Sequence, residues 1–396
     1  MDFNLSSEQA LMRDASRRMV ARDIAPELAR HDANQPLPKA VLLTIFKALA
    51  ALGLTAARLP ADAGGSGLAM LDYGLMFEEI PPVIGLSLVS QEACIARLHA
   101  ECNAEQRQRF LPPLIAGSAL GCTGSTEPDA GSDPRGIRTR VTQEGDTLVL
   151  NGRKMWITNV SMCDLIIVTC LDCRPGQIGK RVVKVVVERK DSAFEAREID
   201  TIGLRQGLLG EAVFDNCRVP LHNLIATATA ADNAGGGTDV LKATWQVNRP
   251  LIGLQAVHLA QCAYDIALDY ARTRRQFDDV IGGHQLVQKN LSDIVTAITT
   301  SRLLCYHALS LIDSGAPAAG AAAMAKRHAQ NACREAVWQA MNLLGAMGLS
   351  TEARMEKLYR DIRMLAVPDG TNEILALIHG RELTGLDAFR RTRPRA

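Results

Sequence analysis

Residues 146–159 read DTLVLNGRKMWITN, and they break the pattern on either side of them. Apolar and polar residues alternate here with a period near two, which is a strand signal, and Asn151-Gly152 predicts a hairpin turn. The neighbouring runs DLIIVTC (164–170), KRVVKVVVERK (180–190) and GEAVFDNCRVP (210–220) are short, β-branched and apolar. Many short strands at close spacing predict a small antiparallel β-domain between about Gly121 and residue 225.

Outside this window the period is helical. Ser6 and Gln9 form a capping-box pattern, followed by Leu11, Met12, Ala15, Met19 and Val20 at helical spacing. Pro26 should end or kink that helix. PKAVLLTIFKALAALGL predicts a second helix stopping near Gly53; LPADAGGSGLAM reads as a loop, and helices follow over about 68–80, 86–101 and 105–116. Beyond the small, glycine-rich stretch TATAADNAGGGTDV, a long helix is expected over about 239–274, with Pro250 tolerable only near its start or as a kink, and further helices over about 284–313, 317–346, 351–365 and 372–384. The domains expected are 1–118 (helical), 119–235 (β) and 236–396 (a helical bundle), an α+β protein.

Bulk properties exclude several classes. The 396 residues carry 44 Lys plus Arg against 43 Asp plus Glu, so a net charge of +1 argues for neither nucleic acid nor an anionic membrane. The basic tail at Arg390, Arg391, Arg393 and Arg395 reads as a solvated end. No uninterrupted apolar run reaches the roughly 18–20 residues of a membrane span, and MDFNLSSEQALMRDASRRMV lacks the apolar core of a signal peptide. Ten scattered cysteines fit reduced thiols and a cytoplasmic location. Cys170-x-x-Cys173 has no second pair, and no metal site is expected. Gly-x-Gly-x-x-Gly, Walker A and Gly-x-Ser-x-Gly patterns are absent.

Four stretches carry more. They are GSTEPDAGSD (124–133), NGRKMWITN (151–159), RTRRQFDDVIGGHQ (272–285) and LYRDIRMLAVPDGTNEI (358–374). In this order and spacing they resemble the acyl-CoA dehydrogenase family across nearly the whole chain. The resemblance implies an N-terminal helical domain, a middle β-domain and a C-terminal four-helix bundle. It also implies FAD held without a Rossmann fingerprint, in a dimer or tetramer whose neighbouring subunit completes each flavin site.

Matched residue by residue, Ser125 and Thr126 would address the flavin pyrimidine edge. Trp156, Ile157 and Thr158 would lie against the ring, with the Thr158 hydroxyl facing N5. Arg274, Gln276, Phe277 and Gln285 would serve the neighbour's FAD pyrophosphate and adenosine, a role suited to a guanidinium fork. Asp278 stands where the family has glycine, and Asn342 where glutamine is common. Thr371 and Glu373 would close over the cofactor. Ser132, Gln246, Arg249 and Gly370 match thioester and pantetheine contacts, with Gln246 replacing a frequent aspartate.

The implied reaction oxidises an acyl thioester between Cα and Cβ. A carboxylate takes the α-proton, a hydride passes from Cβ to flavin N5, and electrons go on to an electron-transfer flavoprotein. Asn248 excludes the helix-borne base that a minority of the family uses, leaving Asp369 in place of the usual glutamate. The plainer reading of Asp369 is a cap for the following helix. Other family tasks stay open: enoyl-CoA reduction like that of the crotonobetainyl-CoA reductases, oxidation of a carrier-protein thioester, or a flavoprotein without catalysis.

Overall fold

The computed structural model describes residues 4–133, 136–176, 182–225, 236–386 and 388. The basic tail and Gly235 of the triple glycine lie outside them, whereas Gly236 and Gly237 begin a helix. Six helices come first: α1 Ser7–Met19, α2 Ala25–Arg30, α3 Lys39–Ala51, α4 Met70–Phe77, α5 Pro82–Glu101 and α6 Ala104–Ile115. The capping box at Ser6 and Gln9 is formed in both directions. Pro26 acts through a π-helical turn at Val20–Ile24, immediately before α2. The wider turn accommodates a ring that would otherwise clash with the carbonyl four residues back.

The middle segment contributes β1 Gly121–Gly124, β2 Arg140–Glu144, β3 Thr147–Thr158, β4 Leu165–Asp172, β5 Val182–Glu188, β6 Glu195–Glu198, β7 Leu209–Pro220 and β8 Leu224–Ile225. They pair in the order β6-β7-β3-β2-β4-β5-β8, with β1 alongside β4. Two expectations need correction. The sheet is mixed, because β1 and β2 each pair in parallel with β4. Asn151-Gly152 makes no turn, and β3 runs through it. The β2–β3 turn is Gly145-Asp146, since Glu144 already faces Thr147. Gly152 instead sits at a break in register against β7, with φ 152° and Thr139 so close that a Cβ would collide with it. Period and composition alone do not distinguish a hairpin turn from a bulge.

Strand β4 shows how the layers meet. Ile166 and Val168 join the core inside the sheet, with Val141, Leu148 and Phe214. Leu165 and Ile167 face the other way, onto Ile95, Leu98, Phe110 and Leu114 of α5 and α6. Burial on both faces explains why this strand reads as a continuous apolar run.

The last segment holds α7 Gly236–Thr273, a small hairpin of β9 Arg275–Gln276 and β10 Asp279–Val280, α8 Gln285–Asp313, α9 Ala319–Leu343, α10 Met355–Met364 and α11 Asn372–Thr384. Its core is continuous with that of α1 and α3–α5. By length and composition, Ala243–Thr273 and Gln285–Asp313 could each cross a membrane, although no uninterrupted apolar run in the sequence does so. In α7, 61% of the most apolar window is buried inside the protein, as suits the central helix of a bundle.

Asp313, at the end of α8, ties the domains together. Its carboxylate accepts hydrogen bonds from the Met70 and Leu71 N–H groups at 2.5 and 2.9 Å, satisfying orphan donors of α4 from another helix. Asp313→Ala should therefore cost about 1–2 kcal/mol. Urea unfolding at neutral pH checks this; an unchanged midpoint would mean that water replaces the contact without loss.

Candidate active site

The turn between α10 and α11 is built around Pro368, Asp369 and Gly370. Asp369 has φ 53° and Gly370 φ 111°, so both lie in the left-handed half of backbone space, where a non-glycine residue needs outside support. Two buried cations supply it. Lys326 of α9 is fully buried, and its Nζ donates to the Pro368 and Gly370 carbonyls on either side of Asp369, the second at 2.7 Å. Arg249 of α7, also buried, donates from Nε to the Asp369 carbonyl at 3.2 Å. Burial pushes the Lys326 amine down to about 7, with Asp369 acting in the opposite direction. Arg249 is likewise held below its usual value by burial, against the pull of Asp369.

The helix cap that follows is Thr371, whose hydroxyl accepts from Ile374 N–H at 3.5 Å. Asp369 is not that cap. Its carboxylate is half-buried and makes no hydrogen bond or ion pair among the described residues.

Beside the turn lies a cleft of about 360 Å³, lined by Val83 and Leu86 of α5, Thr158 of β3, Leu204, Met364 and Pro368. The β-domain side of the site is shaped by a second irregularity in β3, between Lys154 and Ile157. Trp156 sits there at φ 61° with 51% of its surface exposed, although tryptophan in a strand is usually core. Ile157 is buried in the sheet core, so only its backbone could meet a ligand on this face.

A buried ion pair holds the facing loop. Lys154 Nζ donates to Glu127 Oε1 at 2.7 Å and to the Ser125 carbonyl at 3.1 Å. Glu127 also accepts from the Arg138 and Thr139 N–H groups at 2.6 and 3.0 Å, and Met155 N–H donates to the Thr126 carbonyl. Burial works against the Glu127 carboxylate, but its hydrogen bonds from Lys154, Thr139 and Arg138 outweigh that and keep its carboxyl below the usual range. Ser125 and Thr126 are thereby fixed next to Trp156, and the Ser125 hydroxyl lies 3.2 Å from that of Thr169.

The remaining residues singled out by the sequence fall into two places. Gln246 is half-buried on α7, one turn before Pro250, which leaves its carbonyl without the usual helical donor. Asn248 is buried with its Oδ1 unpaired. Ser132 lies exposed in the loop after Thr126, and Glu373 in the first turn of α11. Arg274, Gln276, Phe277 and Gln285 are all exposed, around the β9–β10 hairpin at the junction of α7 and α8, and Asn342 is exposed near the end of α9. Phe277 and Asp278 form the two-residue hairpin loop at φ 54° and 64°. Asp278 therefore keeps the left-handed form that glycine would adopt. Phe277 is 91% exposed, a large apolar surface that meets the edge of His284.

Lys154, Lys326 and Arg97 were missed by sequence reasoning. The signal was available: each is a long cation inside a run patterned for burial, as in AAAMAKRHA and EACIARLHA. Such a residue is rarely fully buried without a specific task.

FAD fits this surface. Trp156 offers an unburied aromatic face, Thr158 a hydroxyl in the cleft, and Ser125 and Thr126 a fixed polar edge. Among the described residues no group of three or more His, Cys, Asp or Glu could hold a metal ion. The acyl-CoA dehydrogenase N-terminal, middle and C-terminal domain patterns match residues 6–118, 122–217 and 235–384. Fold and site together define a flavin-dependent oxidoreductase. The chain is 32% identical over 389 residues to the probable acyl-CoA dehydrogenase YngJ of Bacillus subtilis, covering 97% of this chain and 100% of that protein. It superposes with a TM-score of 0.86 on butyryl-CoA dehydrogenase from Megasphaera elsdenii, at 27% identity, covering 97% and 100% of the two chains. The same score relates it to a glutaryl-CoA dehydrogenase from Mycobacterium smegmatis in complex with FADH2, at 25% identity over 98% and 97%. The chain belongs to the acyl-CoA dehydrogenase family, an FAD-binding family.

Removing Lys154 tests the support of the flavin side. Lys154→Met leaves Glu127 buried without its counter-charge, and breaking such a pair costs about 3–5 kcal/mol. Because the folded Glu127 pKa is depressed, its stabilisation is present above the unfolded value of about 4.3 and is lost as pH falls through the lower folded value. The parent should therefore exceed Lys154→Met in unfolding free energy at pH 7, and the gap should shrink as Glu127 protonates. Urea melts across that range check both, and a constant gap would contradict the assignment.

Proposed function

We propose that this protein oxidises an acyl-CoA thioester between Cα and Cβ, with Asp369 as the α-proton base. The observation that carries the reading is the Asp369 turn. A carboxylate that makes no hydrogen bond or ion pair among the described residues follows directly on Pro368, which lines a cleft together with Thr158, and its backbone is held by Lys326 and Arg249. A base must come within about 2.6–3.2 Å of its proton, directly or through one water. Aspartate is one methylene shorter than glutamate and sits about 1.5 Å further back. The substrate must therefore approach this turn closely, or be bulkier at Cα.

The Asp369 N–H is available to the thioester oxygen. A fixed donor at the oxygen where enolate charge develops is worth about 3–4 kcal/mol. FAD, when bound, supplies the acceptor for the hydride leaving Cβ. Thr158 orients the ring edge, Ser125 and Thr126 bind its pyrimidine side, and Trp156 covers its face. Gln246, Arg249, Gly370 and Ser132 guide the thioester and pantetheine. Thr371 and Glu373 close over the cofactor.

The functional unit is a homo-oligomer, a dimer or tetramer, in which Arg274, Gln276, Phe277, Gln285 and Asn342 serve the neighbouring subunit's FAD. The 91% exposure of Phe277 supports this, since an isolated chain leaves that ring in water. Electrons pass on to an electron-transfer flavoprotein, in the cytoplasm.

Two measurements test this reading. Anaerobic mixing with a panel of acyl-CoAs should bleach the flavin, and a dye acceptor should restore it; no bleaching with any thioester would refute the reading. Arg274→Ala should weaken FAD retention at least tenfold while leaving the far-ultraviolet circular dichroism unchanged. A monomer that holds FAD as tightly as the parent oligomer would contradict the shared site.

A further inference from the structure

The loop between β6 and β7 touches all three domains at the cleft. Its Gly203, Leu204, Gly207 and Leu208 line the cleft together with Thr158 and Pro368. Toward the β-domain it runs into β7, where Leu209 pairs with Thr158, and the Leu208 carbonyl accepts from Asn159 N–H at 3.3 Å. Toward the N-terminal helices the buried Gln206 donates to the Leu28 and His31 carbonyls at 2.9 and 3.1 Å, and its own carbonyl accepts from Leu37 N–H at 3.0 Å. Toward the C-terminal bundle the loop meets α10, the helix that leads into the Asp369 turn.

A single carboxylate anchors that last contact. Asp361 of α10 is 3% exposed, and its Oδ1 accepts from Leu204 N–H at 2.6 Å while its Oδ2 accepts from Lys357 Nζ. Arg360 adds a hydrogen bond from Nη1 to the Ile202 carbonyl at 3.2 Å. Gly203 lies so close to α10 that a Cβ there would stand 2.4 Å from the Arg360 carbonyl oxygen. Leu204 itself has φ 54°, a left-handed conformation that a buried leucine keeps only under outside constraint. Asp361 supplies that constraint at the Leu204 N–H, and Gly207 N–H donates to the Leu204 carbonyl on its other side. Met364, three positions after Asp361 on the same helix, lines the cleft as Leu204 does.

We propose that Asp361 is a positioning residue for the reaction: by holding the Leu204 N–H it fixes the separation between the Thr158 wall, where the flavin would lie, and the turn that carries Asp369. The assignment rests on reading the cleft as an acyl-CoA site. Asp361 does not line that cleft, so it acts through Leu204 and α10 rather than on a ligand. The proton acceptor stands on the C-terminal bundle and the hydride-accepting side on the β-domain, yet Cα and Cβ of the acyl group are adjacent atoms. Both groups must be in reach at once, and a misplacement of about 1 Å from a change away from the chemistry can cost about a hundredfold in rate. A buried, directed bond between the two domains sets that distance more tightly than apolar packing alone, because it is short and specific in angle.

The test compares the parent holoenzyme with three variants. Asp361→Asn keeps an oxygen for the Leu204 N–H and gives up the charge. Asp361→Glu keeps the charge and lengthens the arm by one methylene, about 1.5 Å. Asp361→Ala removes the bond. Stopped-flow flavin reduction by butyryl-, isobutyryl- and octanoyl-CoA gives the rate at saturation and the thioester Kd separately. Amide hydrogen exchange read by mass spectrometry follows the 200–208 loop and the 366–371 turn, with and without FAD. Asp361→Asn should reduce its flavin within about threefold of the parent, whereas Asp361→Glu and Asp361→Ala should fall at least about tenfold at saturation, with Kd changed by less than about threefold and FAD retained. A role for the charge itself predicts the opposite order of Asn and Glu. Exchange should quicken in both the loop and the turn of Asp361→Ala and match the parent in Asp361→Asn. If Asp361→Ala does not fold, the contrast between Asp361→Asn and Asp361→Glu decides. Parent-like reduction in Asp361→Glu or Asp361→Ala, a loss in Asp361→Asn as large as theirs, or faster exchange confined to the loop would overturn the assignment and leave the acyl-CoA reading standing. No bleaching of the parent by any of the three thioesters would sink that reading, and the part of Asp361 in the reaction with it.

Discussion

The site depends on one constraint: the backbone at Asp369 is held in a left-handed conformation that the residue would not adopt unaided. Such a residue costs about 1–3 kcal/mol. The cost is offset by Lys326, which binds the carbonyls on either side, and Arg249, which binds the carbonyl of Asp369 itself. Each comes from a different helix, α9 and α7, whose packing forms the centre of the C-terminal bundle. The orientation of the carboxylate is therefore set by the bundle core rather than by the turn's own sequence. Loosening that packing would disturb the carboxylate before it unfolded the protein.

The opposite wall follows the same logic with different chemistry. In β3 a bulge turns Trp156 out of the sheet, and the buried Lys154–Glu127 pair fixes the Ser125–Thr126 loop beside it. Helix α5 connects the two walls. Its Ser90 hydroxyl donates to the Thr158 carbonyl, and its Val83 and Leu86 line the cleft together with Pro368. Three domains thus meet at one cleft, each contributing a part that the others position.

Much of the architecture is legible in local sequence. The switch from period near 3.6 to period two and back marks the helical, β and helical segments, and Ser6 with Gln9 marks a helix start that the structure contains. Punctuation is less reliable. Asn151-Gly152 has the composition of a turn but lies inside a strand, because close approach of Thr139 selects glycine there. The GSTEP, WITN and RRQF strings carry the family identity, but not the residues that support them. Lys326 and Lys154 act over long sequence separations. Their importance comes from burial, which only the assembled fold defines. Asp369 is intermediate: the sequence left base and cap as alternatives, and the structure gives the cap to Thr371.

The central claim, that Asp369 is the base and Lys326 and Arg249 hold it in place, is tested most directly by stopped-flow flavin reduction in Asp369→Asn and Asp369→Glu. An amide keeps the shape of the turn but cannot take a proton. The account predicts that Asp369→Asn retains FAD and its fold while the reduction rate falls by at least about a hundredfold, the lower end of general-base contributions. Asp369→Glu should remain active, with its preference moved toward straighter, smaller acyl groups. Reduction of Asp369→Asn at the parent's rate would contradict the account and place the base elsewhere.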